Sequence, residues 1–194
     1  MNHLVVIAHP RVDSFTMQIA GIYVEELQKR NHAIVIRDLY RMNWNPIATA
    51  EELRCMSTGR IPADILREQA YVTAAEIITF VHPIWWIGLP AIIKGYVDRV
   101  FLLDFAYRYG PDGVEGMLKG KRAMIFTSSG STPEHFKESG KMQSILVSQD
   151  LGTMQFCAVE VIEHVHFAPV GRRSTPAMIE SWRAHVRDCV NRNF

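Results

Sequence analysis

Residues 9–16, with the sequence HPRVDSFT, bring hydroxyl groups and an imidazole close together. Ser14 and Thr16 offer hydroxyl donors, and His9 could donate a hydrogen bond or supply a positive charge. If the segment leads from a strand into a helix, unpaired N–H groups and the positive end of the helix dipole face the same ligand. These groups are suited to binding a phosphate. The other interpretation is an ordinary helix cap at Asp13 or Ser14 beside a hydrogen-bonded His9.

Residues 82–90, with the sequence HPIWWIGLP, contain the adjacent tryptophans Trp85 and Trp86. In an extended chain, adjacent side chains point to opposite sides, so we expect one indole in the core and the other over a ligand or a partner chain. A flat apolar surface beside a phosphate site suits a planar aromatic cofactor. Alternatively, both rings pack over the core, as most tryptophans do.

Residues 127–133, with the sequence TSSGSTP, combine small side chains with hydroxyl groups. Small residues let the backbone approach a ligand closely, and the hydroxyl and N–H groups are donors. An ordinary turn would have a similar composition. Together the three segments would supply a phosphate site, an aromatic wall and an edge rich in hydrogen-bond donors.

Each of the three segments follows a predicted strand. We predict strands at residues 3–8, 33–37, 76–81 and 122–127 and within 157–166. Helices are predicted at residues 14–30, 62–71, 90 to about 103, 139–151 and from 176 onward, with an irregular section over 38–62. This alternation predicts an α/β fold with a parallel sheet and helices on both faces. Ligands bind such sheets at the carboxyl ends of the strands, where the three segments lie.

Composition excludes several classes of protein. A chain of 194 residues predicts a single domain over residues 1–194, since domains typically have roughly 100–200 residues. The 21 Lys and Arg residues nearly balance the 20 Asp and Glu residues, which argues against nucleic acid or acidic lipid as a partner. Cys55, Cys157 and Cys189 are scattered, which favours reduced thiols and a cytoplasmic protein. No apolar run approaches the roughly 18 residues of a membrane span, so no membrane insertion is predicted.

Other chemistries lack the residues they need. His164 and His166 share one face of a strand, with Glu160 or Glu163 nearby, but two ligands are too few for a zinc site. We therefore interpret them as a polar strand end and predict no metal site. No G-x-S-x-G nucleophile motif is present, nor a G-x-G-x-x-G or P-loop motif.

Four stretches resemble the flavodoxin-like NAD(P)H:quinone oxidoreductases, the family of mammalian quinone reductase and its shorter bacterial relatives. The stretches are residues 9–16, 37–46 (RDLYRMNWNP), 83–95 (PIWWIGLPAIIKG) with 98–101 (DRVF), and 105–107 (FAY). The third is the most specific, and the likeness covers about the first 130 residues. It implies a five-stranded parallel sheet in the order 2-1-3-4-5.

The resemblance also implies a flavin-dependent two-electron reductase that acts as a homodimer. NAD(P)H would donate electrons, and a quinone or similar planar acceptor would use the same open site in turn. The likeness around residues 38–46 favours FAD, whereas the short chain, like many FMN-using relatives, favours FMN; we expect FAD, with FMN as the alternative. A runner-up function is a flavin-binding accessory subunit of a potassium efflux system. An electron-carrier flavodoxin is disfavoured, since those proteins are usually strongly acidic.

Family positions imply roles for particular residues. His9, Ser14, Phe15 and Thr16 would hold the flavin phosphates. The isoalloxazine ring would lie against two loops, made of Pro83, Ile84, Trp85, Trp86 and Ile87 and of Thr127, Ser128, Ser129 and Gly130. Tyr107 and Tyr109 match tyrosines that line the nicotinamide and quinone pocket, which the partner subunit completes.

The sequence departs from the family pattern at three places. Thr16 stands where the family often has Asn, and Ser129 stands where it often has the first of two glycines. The Tyr and His that assist hydride transfer in the mammalian enzymes have no clear counterpart. His135 is the candidate for that role, and Tyr107 is the other candidate catalytic residue.

Overall fold

The computed structural model describes residues 1–57 and 59–194, in which strands and helices alternate along most of the chain. The strands are β1 (Asn2–Ile7), β2 (Ala33–Asp38), β3 (Ile77–Pro83), β4 (Tyr107–Gly110), β5 (Gly113–Gly116), β6 (Arg122–Ser128) and β7 (Glu160–Phe167). The α-helices are α1 (Phe15–Lys29), α2 (Ala50–Ser57), α3 (Ala63–Ala74), α4 (Ala91–Val100), α5 (Pro133–Glu138), α6 (Lys141–Leu146) and α7 (Pro176–Asn193). A π-helix (Val147–Met154) and a short 3₁₀-helix (Gln155–Cys157) follow α6.

The main sheet has the order β2–β1–β3–β6–β7, and its neighbouring strands are all parallel. Strands β4 and β5 form a separate antiparallel hairpin. Numbered within the main sheet alone, the order is 2-1-3-4-5. This order confirms the predicted flavodoxin-like α/β fold.

The three central strands are buried on both faces, which explains their almost unbroken apolar sequences. Alternate side chains enter two separate cores. One core lies under α3 and α4 and includes Leu4, Val6, Ile78, Phe80 and Ile125. The other lies under α1 and α7 and includes Val5, Ile7, Val81, Met124 and Phe126. The sheet is therefore a rigid middle layer from which the loops project.

The carboxyl ends of β1, β3 and β6 are neighbours at one edge of the sheet. Ile7 pairs with Val81, and Val81 pairs with Phe126. The loops that follow these strands begin side by side, which places residues 9–16, 84–90 and 129–133 at the same edge.

The irregular section predicted at 38–62 contains the helix α2. Its start has a reciprocal cap: the Thr49 N–H donates to Glu52 Oε2 (2.9 Å), and the Glu52 N–H donates to Thr49 Oγ1 (3.1 Å). This is the capping box S/T-x-x-E, a sequence signal that the prediction overlooked. Glu52 also forms an ion pair with Arg99 of α4, which anchors α2 to the core.

The other element boundaries differ less from the prediction. The glycine-rich stretch predicted as a loop around Gly110–Gly116 is the β4–β5 hairpin. The helix predicted at 139–151 is preceded by α5 and extends through the π-helix to Met154. Pro90, predicted in the first turn of α4, is the residue just before it.

Two remaining predictions concern cysteines and membranes. Cys157 and Cys189 are free and buried. The side chain of Cys55 lies outside the described part of the chain. Among the described residues, no helix is long and apolar enough to cross a membrane.

Candidate functional site

The first site element is the start of α1. Ser14 is its N-cap, and its hydroxyl accepts the N–H of Met17 (3.2 Å). The N–H groups of Phe15 and Thr16 have no acceptor within residues 1–57 and 59–194. The cap interpretation is therefore correct, and it coexists with free donors at the positive end of a 15-residue helix. Such an end is suited to an anion.

His9 lies beside this helix start. Its Nδ1 is 3.1 Å from the N and 3.3 Å from the O of Arg11, so one backbone segment holds the ring. Burial lowers the pKa of His9, which favours a neutral ring. Nε2 remains the ring atom available to a ligand. Arg11 itself is paired with Asp13 (2.7 Å) on the surface.

The second element is a tight turn at Trp85–Gly88. The Trp85 N–H donates to Gly88 O (3.2 Å), and the Gly88 N–H donates to Trp85 O (2.9 Å). The two residues between them, Trp86 and Ile87, have φ values of 51° and 63°. This left-handed backbone is unusual for a bulky or β-branched residue, and such strain is concentrated at functional sites.

The expectation that one of the two indoles enters the core is wrong. Trp85 is 41% exposed and Trp86 is fully exposed. The prediction assumed an extended strand, whereas the turn directs both rings away from the core. Trp85 lies edge-on to the ring of His9, with centroids 6.2 Å apart, so the first and second elements touch.

A cavity of about 190 Å³ lies between the three loops. It is lined by His9, Phe15, Thr16, Pro83, Ile84, Trp85, Ser128, Ser129, Gly130 and Val170. The Ile84 N–H donates to Ser128 O (2.7 Å), which ties the second loop to the third. The structure therefore brings together nine of the residues predicted from the sequence, three from each loop.

A second cavity, of about 340 Å³, shares the lining residues His9 and Phe15 with the first. Its other lining residues are Arg11, Asp13, Ser14, Gln18, Val170, Gly171, Ser174 and Ile179. The helix start is thus flanked by two cavities. Sequence reasoning missed the segment after β7, although the rule that selected the other three loops applies to it as well.

Thr127 lines neither of these two cavities. Its side chain is buried, and its hydroxyl contacts His164 Nε2 (3.0 Å) and His166 Nδ1 (2.9 Å) on the neighbouring strand β7. The two histidines share a strand face, as predicted, but they converge on a hydroxyl. Glu163 lies on the opposite face of β7 and pairs with Arg192 (2.9 Å).

The remaining predicted residues lie outside the lining of both cavities. Trp86 and Ile87 form the exposed tip of the turn. Tyr107, on the β4–β5 hairpin, packs against Phe156, and Tyr109 is 73% exposed. His135 is exposed on α5, with Nε2 2.7 Å from Lys141 Nζ. One chain therefore contributes the cavity walls but not these candidate catalytic and substrate residues.

Comparison with known proteins agrees with this arrangement. A family model described as a flavodoxin-like fold matches residues 1–188, well beyond the 130 residues that carry the recognisable motifs. An uncharacterized NAD(P)H oxidoreductase of Haemophilus influenzae is 39% identical over 184 residues, covering 93% of this chain and 91% of that protein. Rat NAD(P)H dehydrogenase [quinone] 1 is 28% identical, covering 94% of this chain and 75% of that protein.

Solved structures give the same result. The NAD(P)H:quinone oxidoreductase of Methanothermobacter marburgensis has a TM-score of 0.89 and 27% identity, covering 100% of this chain and 98% of that chain. Together with the sheet order and the three converging loops, these similarities show that the chain belongs to the flavodoxin-like family of NAD(P)H:quinone oxidoreductases.

Proposed function

We propose that this protein is a flavin-dependent NAD(P)H oxidoreductase that reduces quinones or similar planar acceptors by two electrons. The observation that carries the proposal is the cavity of about 190 Å³, which has free N–H donors on one wall and an indole on another. A bound flavin would accept hydride from NAD(P)H and donate it to the acceptor. The overall reaction converts NAD(P)H, a quinone and one proton to NAD(P)⁺ and a hydroquinone.

The start of α1 is suited to the flavin phosphates. Free N–H groups at Phe15 and Thr16, the hydroxyl groups of Ser14 and Thr16, and Nε2 of His9 all border the cavities. No acidic residue lines the smaller cavity, and Asp13 beside the larger one is neutralised by Arg11. An anion would therefore meet donors and no unpaired carboxylate.

Pro83, Ile84 and Trp85 supply apolar surface for the isoalloxazine ring, and Ser128, Ser129 and Gly130 supply the polar edge. The Gly130 N–H has no acceptor among the described residues, so it is free to donate to a ring oxygen. Donors placed where charge develops can contribute about 3–4 kcal/mol each. Thr127 would act indirectly, through its contacts with β7.

We propose FAD as the flavin, with FMN as the alternative. The larger cavity is lined by His9, Ser14 and Phe15 of the proposed phosphate site and also by Gly171, Ser174 and Ile179, so it offers room for the adenosine half of FAD. FMN would leave that cavity unused.

We also propose a homodimer that completes the active site. Trp86, Ile87, Leu103 and Tyr109 are exposed apolar side chains on the cavity side and the adjoining hairpin. The tyrosines that the family places in the substrate pocket do not reach this chain's own cavity, which is explained if they serve the partner's site. Ile47 and Leu53 are also exposed apolar side chains, whereas Phe101 and Leu102, just before Leu103, are buried in the core.

The proposal further places a single domain, residues 1–194, in the cytoplasm, where free Cys157 and Cys189 would stay reduced.

The decisive experiment is an absorption spectrum of the purified chain, followed by mass analysis of the acid-released chromophore. We expect flavin bands that bleach with NAD(P)H and return on adding a quinone, and a released mass equal to that of FAD. A colourless protein that takes up neither FAD nor FMN would refute the proposal. Flavin uptake without quinone turnover would instead favour the potassium efflux accessory role.

A further inference from the structure

A carboxylate, an imidazole and a thiol meet where strand β7 packs against helix α7. They belong to Glu163 on the strand and to His185 and Cys189 on the helix, and their ligand atoms all lie within 4.8 Å of one another. Glu163 Oε1 is 3.8 Å from His185 Nε2 and 3.6 Å from Cys189 Sγ. We call these three residues the ligand cluster.

The periods of the helix and the strand bring the ligand cluster together. His185 and Cys189 are four residues apart in α7, so they lie on the same face of the helix, one turn apart. Side chains alternate along β7, so Glu163 points away from His164 and His166 and toward α7. Proximity in the sequence grouped Glu163 with those two histidines, whereas the strand places it on the opposite face.

The spacing of the ligand cluster matches that of ligands around a Zn²⁺ ion. Zn²⁺ binds nitrogen and oxygen at about 2.0–2.2 Å and sulfur at about 2.3 Å, usually at tetrahedral angles, so two of its ligand atoms are about 3.3–3.6 Å apart. The two distances from Glu163 Oε1 need to shorten by no more than about 0.5 Å to reach this range. The half-exposed side chain of His185 has room to make that adjustment.

The ligand types favour zinc over the other common divalent metals. A thiolate is a soft ligand, and Zn²⁺ binds it together with imidazole and carboxylate groups. Mg²⁺ and Ca²⁺ bind oxygen ligands instead. Three protein ligands leave a fourth tetrahedral position, which a water molecule from the adjoining solvent can fill.

A positive group already contacts the ligand cluster. Arg192 Nη2 lies 2.9 Å from Glu163 Oε1, 3.1 Å from Glu163 Oε2 and 3.5 Å from Cys189 Sγ. The Arg192 side chain is 52% exposed, and within the part of the chain that the structure describes it has no other hydrogen bond or ion pair. It can therefore move into solvent and leave its place to a metal ion without losing a further partner.

An outer contact orients the carboxylate. Asn193 Nδ2 donates to Glu163 Oε2 (3.3 Å) and to Cys189 O (2.9 Å). Oε2 is thus held by the end of α7, while Oε1 faces His185 and Cys189. Carboxylates that bind metals are commonly held by such hydrogen bonds.

We propose that the ligand cluster binds a Zn²⁺ ion, with water as the fourth ligand and the guanidinium of Arg192 displaced into solvent. In the metal-free chain the Cys189 thiol donates its proton to Glu163 Oε1. On metal binding the S–H bond breaks, the proton passes to solvent and the sulfur binds the ion as a thiolate. No oxidant or reductant is needed, because neither zinc nor sulfur changes its oxidation state.

The ion would join α7 to β7 without taking part in the reductase reaction. None of the three ligands lines either of the two cavities at the carboxyl edge. The ligands come from two separate elements of the chain, so the site exists only in the folded protein. An ion that binds only the folded state stabilises it.

The test uses Co²⁺ as a spectroscopic substitute for Zn²⁺ in the full-length protein with its thiols reduced. Difference spectra should show a near-ultraviolet band from thiolate bound to Co²⁺ and the intense visible bands of a tetrahedral cobalt ion. One equivalent of Co²⁺ should saturate the bands, and one equivalent of Zn²⁺ should abolish them. Absence of the thiolate band would refute the site.

Variants of the ligands assign the bands to the ligand cluster. His185→Gln and Cys189→Ser should each weaken Co²⁺ binding by about a hundredfold or more, since the loss of outer contacts alone costs about tenfold to a hundredfold. His185 is half-exposed, so His185→Gln remains informative even if Cys189→Ser does not fold. Cys157→Ser is the matched control, because Cys157 is also free and buried, and it should leave the bands unchanged. Bands that persist in His185→Gln would refute the site.

Arg192→Gln tests the displacement of the guanidinium. Removal of this competing cation should tighten Co²⁺ binding by about fivefold, the equivalent of one partly exposed ion pair. Arg187→Gln is the matched control, because Arg187 lies on the same helix and pairs with Glu180 (3.4 Å) instead. Its affinity should change less than about twofold, since charges that share no partner with the ion are screened. Weaker binding in Arg192→Gln would overturn the displacement.

Thermal unfolding measures the effect of Zn²⁺ itself. At about a hundred times its Kd, Zn²⁺ should raise the Tm of the native chain by about 5–10 °C. His185→Gln should remove this rise. An equal rise in the variant would place the zinc elsewhere and refute the site. No measurement in this series depends on flavin, so the zinc site and the reductase stand or fall separately.

Discussion

Each edge of the sheet holds a pair of histidines, and the two pairs differ in what they connect to. At the amino edge, His3 Nε2 is 2.8 Å from His32 Nδ1, and the Tyr23 hydroxyl is 3.5 Å from His3. The C-terminal Phe194 covers the pair, with its ring centroid 4.9 Å from that of His3. We call these four residues the amino-edge cluster. From the pair, the hydrogen bonds lead to Tyr23, whose hydroxyl also accepts from the buried Thr79 (2.9 Å).

At the carboxyl edge, Thr127 separates His164 from His166, and the hydrogen bonds continue to Asp150 and Ser129. Burial lowers the pKa of His3 to about 3 and contributes to lowering that of His166 to about 4, so both pairs contain a strongly shifted imidazole. A shifted pKa therefore does not distinguish a structural histidine from a functional one.

The largest expected effect is a loss of stability in acid that both edges share. His3, His82 and His166 have folded pKa values lowered from 6.5 to about 3, 4 and 4. The unfolded chain binds these protons first, so stability is full above pH 6.5 and falls as the pH drops below it. At pH 5 the three groups together should lower the free energy of unfolding by about 4–6 kcal/mol relative to pH 7.5. Urea unfolding at pH 7.5 and pH 5 measures this difference.

His3→Gln isolates the contribution of the amino edge to the loss of stability in acid. It should reduce the stability difference between pH 7.5 and pH 5 by about 2 kcal/mol, the share of one histidine. An unchanged difference would mean that His3 is not held neutral.

Truncation of Phe194 tests whether the amino-edge cluster has only a structural role. Phe194 is half-buried, so Phe194→Ala should lower the free energy of unfolding by about 1–2 kcal/mol, less than a fully buried phenylalanine would. Flavin affinity and quinone turnover, measured at a temperature where the variant is folded, should not change. A loss of quinone turnover in the folded variant would show that the amino-edge cluster also affects the reaction.

Ser14→Ala tests a residue of the carboxyl edge that has both roles. Loss of the cap should cost about 1 kcal/mol of stability. Flavin should bind about tenfold more weakly, since one hydroxyl donor at the phosphate site is removed. Thr175→Ala is the matched control, because Thr175 caps α7 in the same way, accepting the Met178 N–H at 3.2 Å. It should cost similar stability and leave flavin affinity unchanged.

The smallest effect on stability is expected at Trp86, which is fully exposed at φ 51°. Trp86→Ala should change the free energy of unfolding by no more than about 0.5 kcal/mol. Trp86→Gly should be about 1 kcal/mol more stable than Trp86→Ala, because glycine adopts this backbone without strain. Both variants should retain less flavin when purified, and unchanged flavin content would contradict a role for this indole in the site.

Local signals in the sequence were enough for most of the fold. The caps Ser14 and Thr175 and the apolar runs of β1, β3 and β6 correctly predicted the elements and their order. The cap of α2 at Thr49 was equally readable, but the helix is short and Leu53 within it is exposed, so hydrophobic periodicity gave little support.

Nonlocal geometry was not readable. The shared face of His164 and His166 follows from the period of two along a strand. Thr127, however, lies 37 and 39 residues away from them, and its pairing depends on a bulge that no local pattern indicates. The two tryptophans were misjudged for a related reason, since a tight turn with left-handed backbone is rare for such side chains.

Strand β7 forms one border of the sheet, since it pairs with β6 on a single side, whereas β1 and β3 have strands on both sides. Border strands tend to open locally at a lower free energy than central ones. Such an opening would separate His164 and His166 from Thr127 while the start of α1 stays folded. On gradual heating, these hydrogen bonds are therefore expected to break before the cofactor is released. Amides of β7 should accordingly exchange with deuterium faster than those of β3.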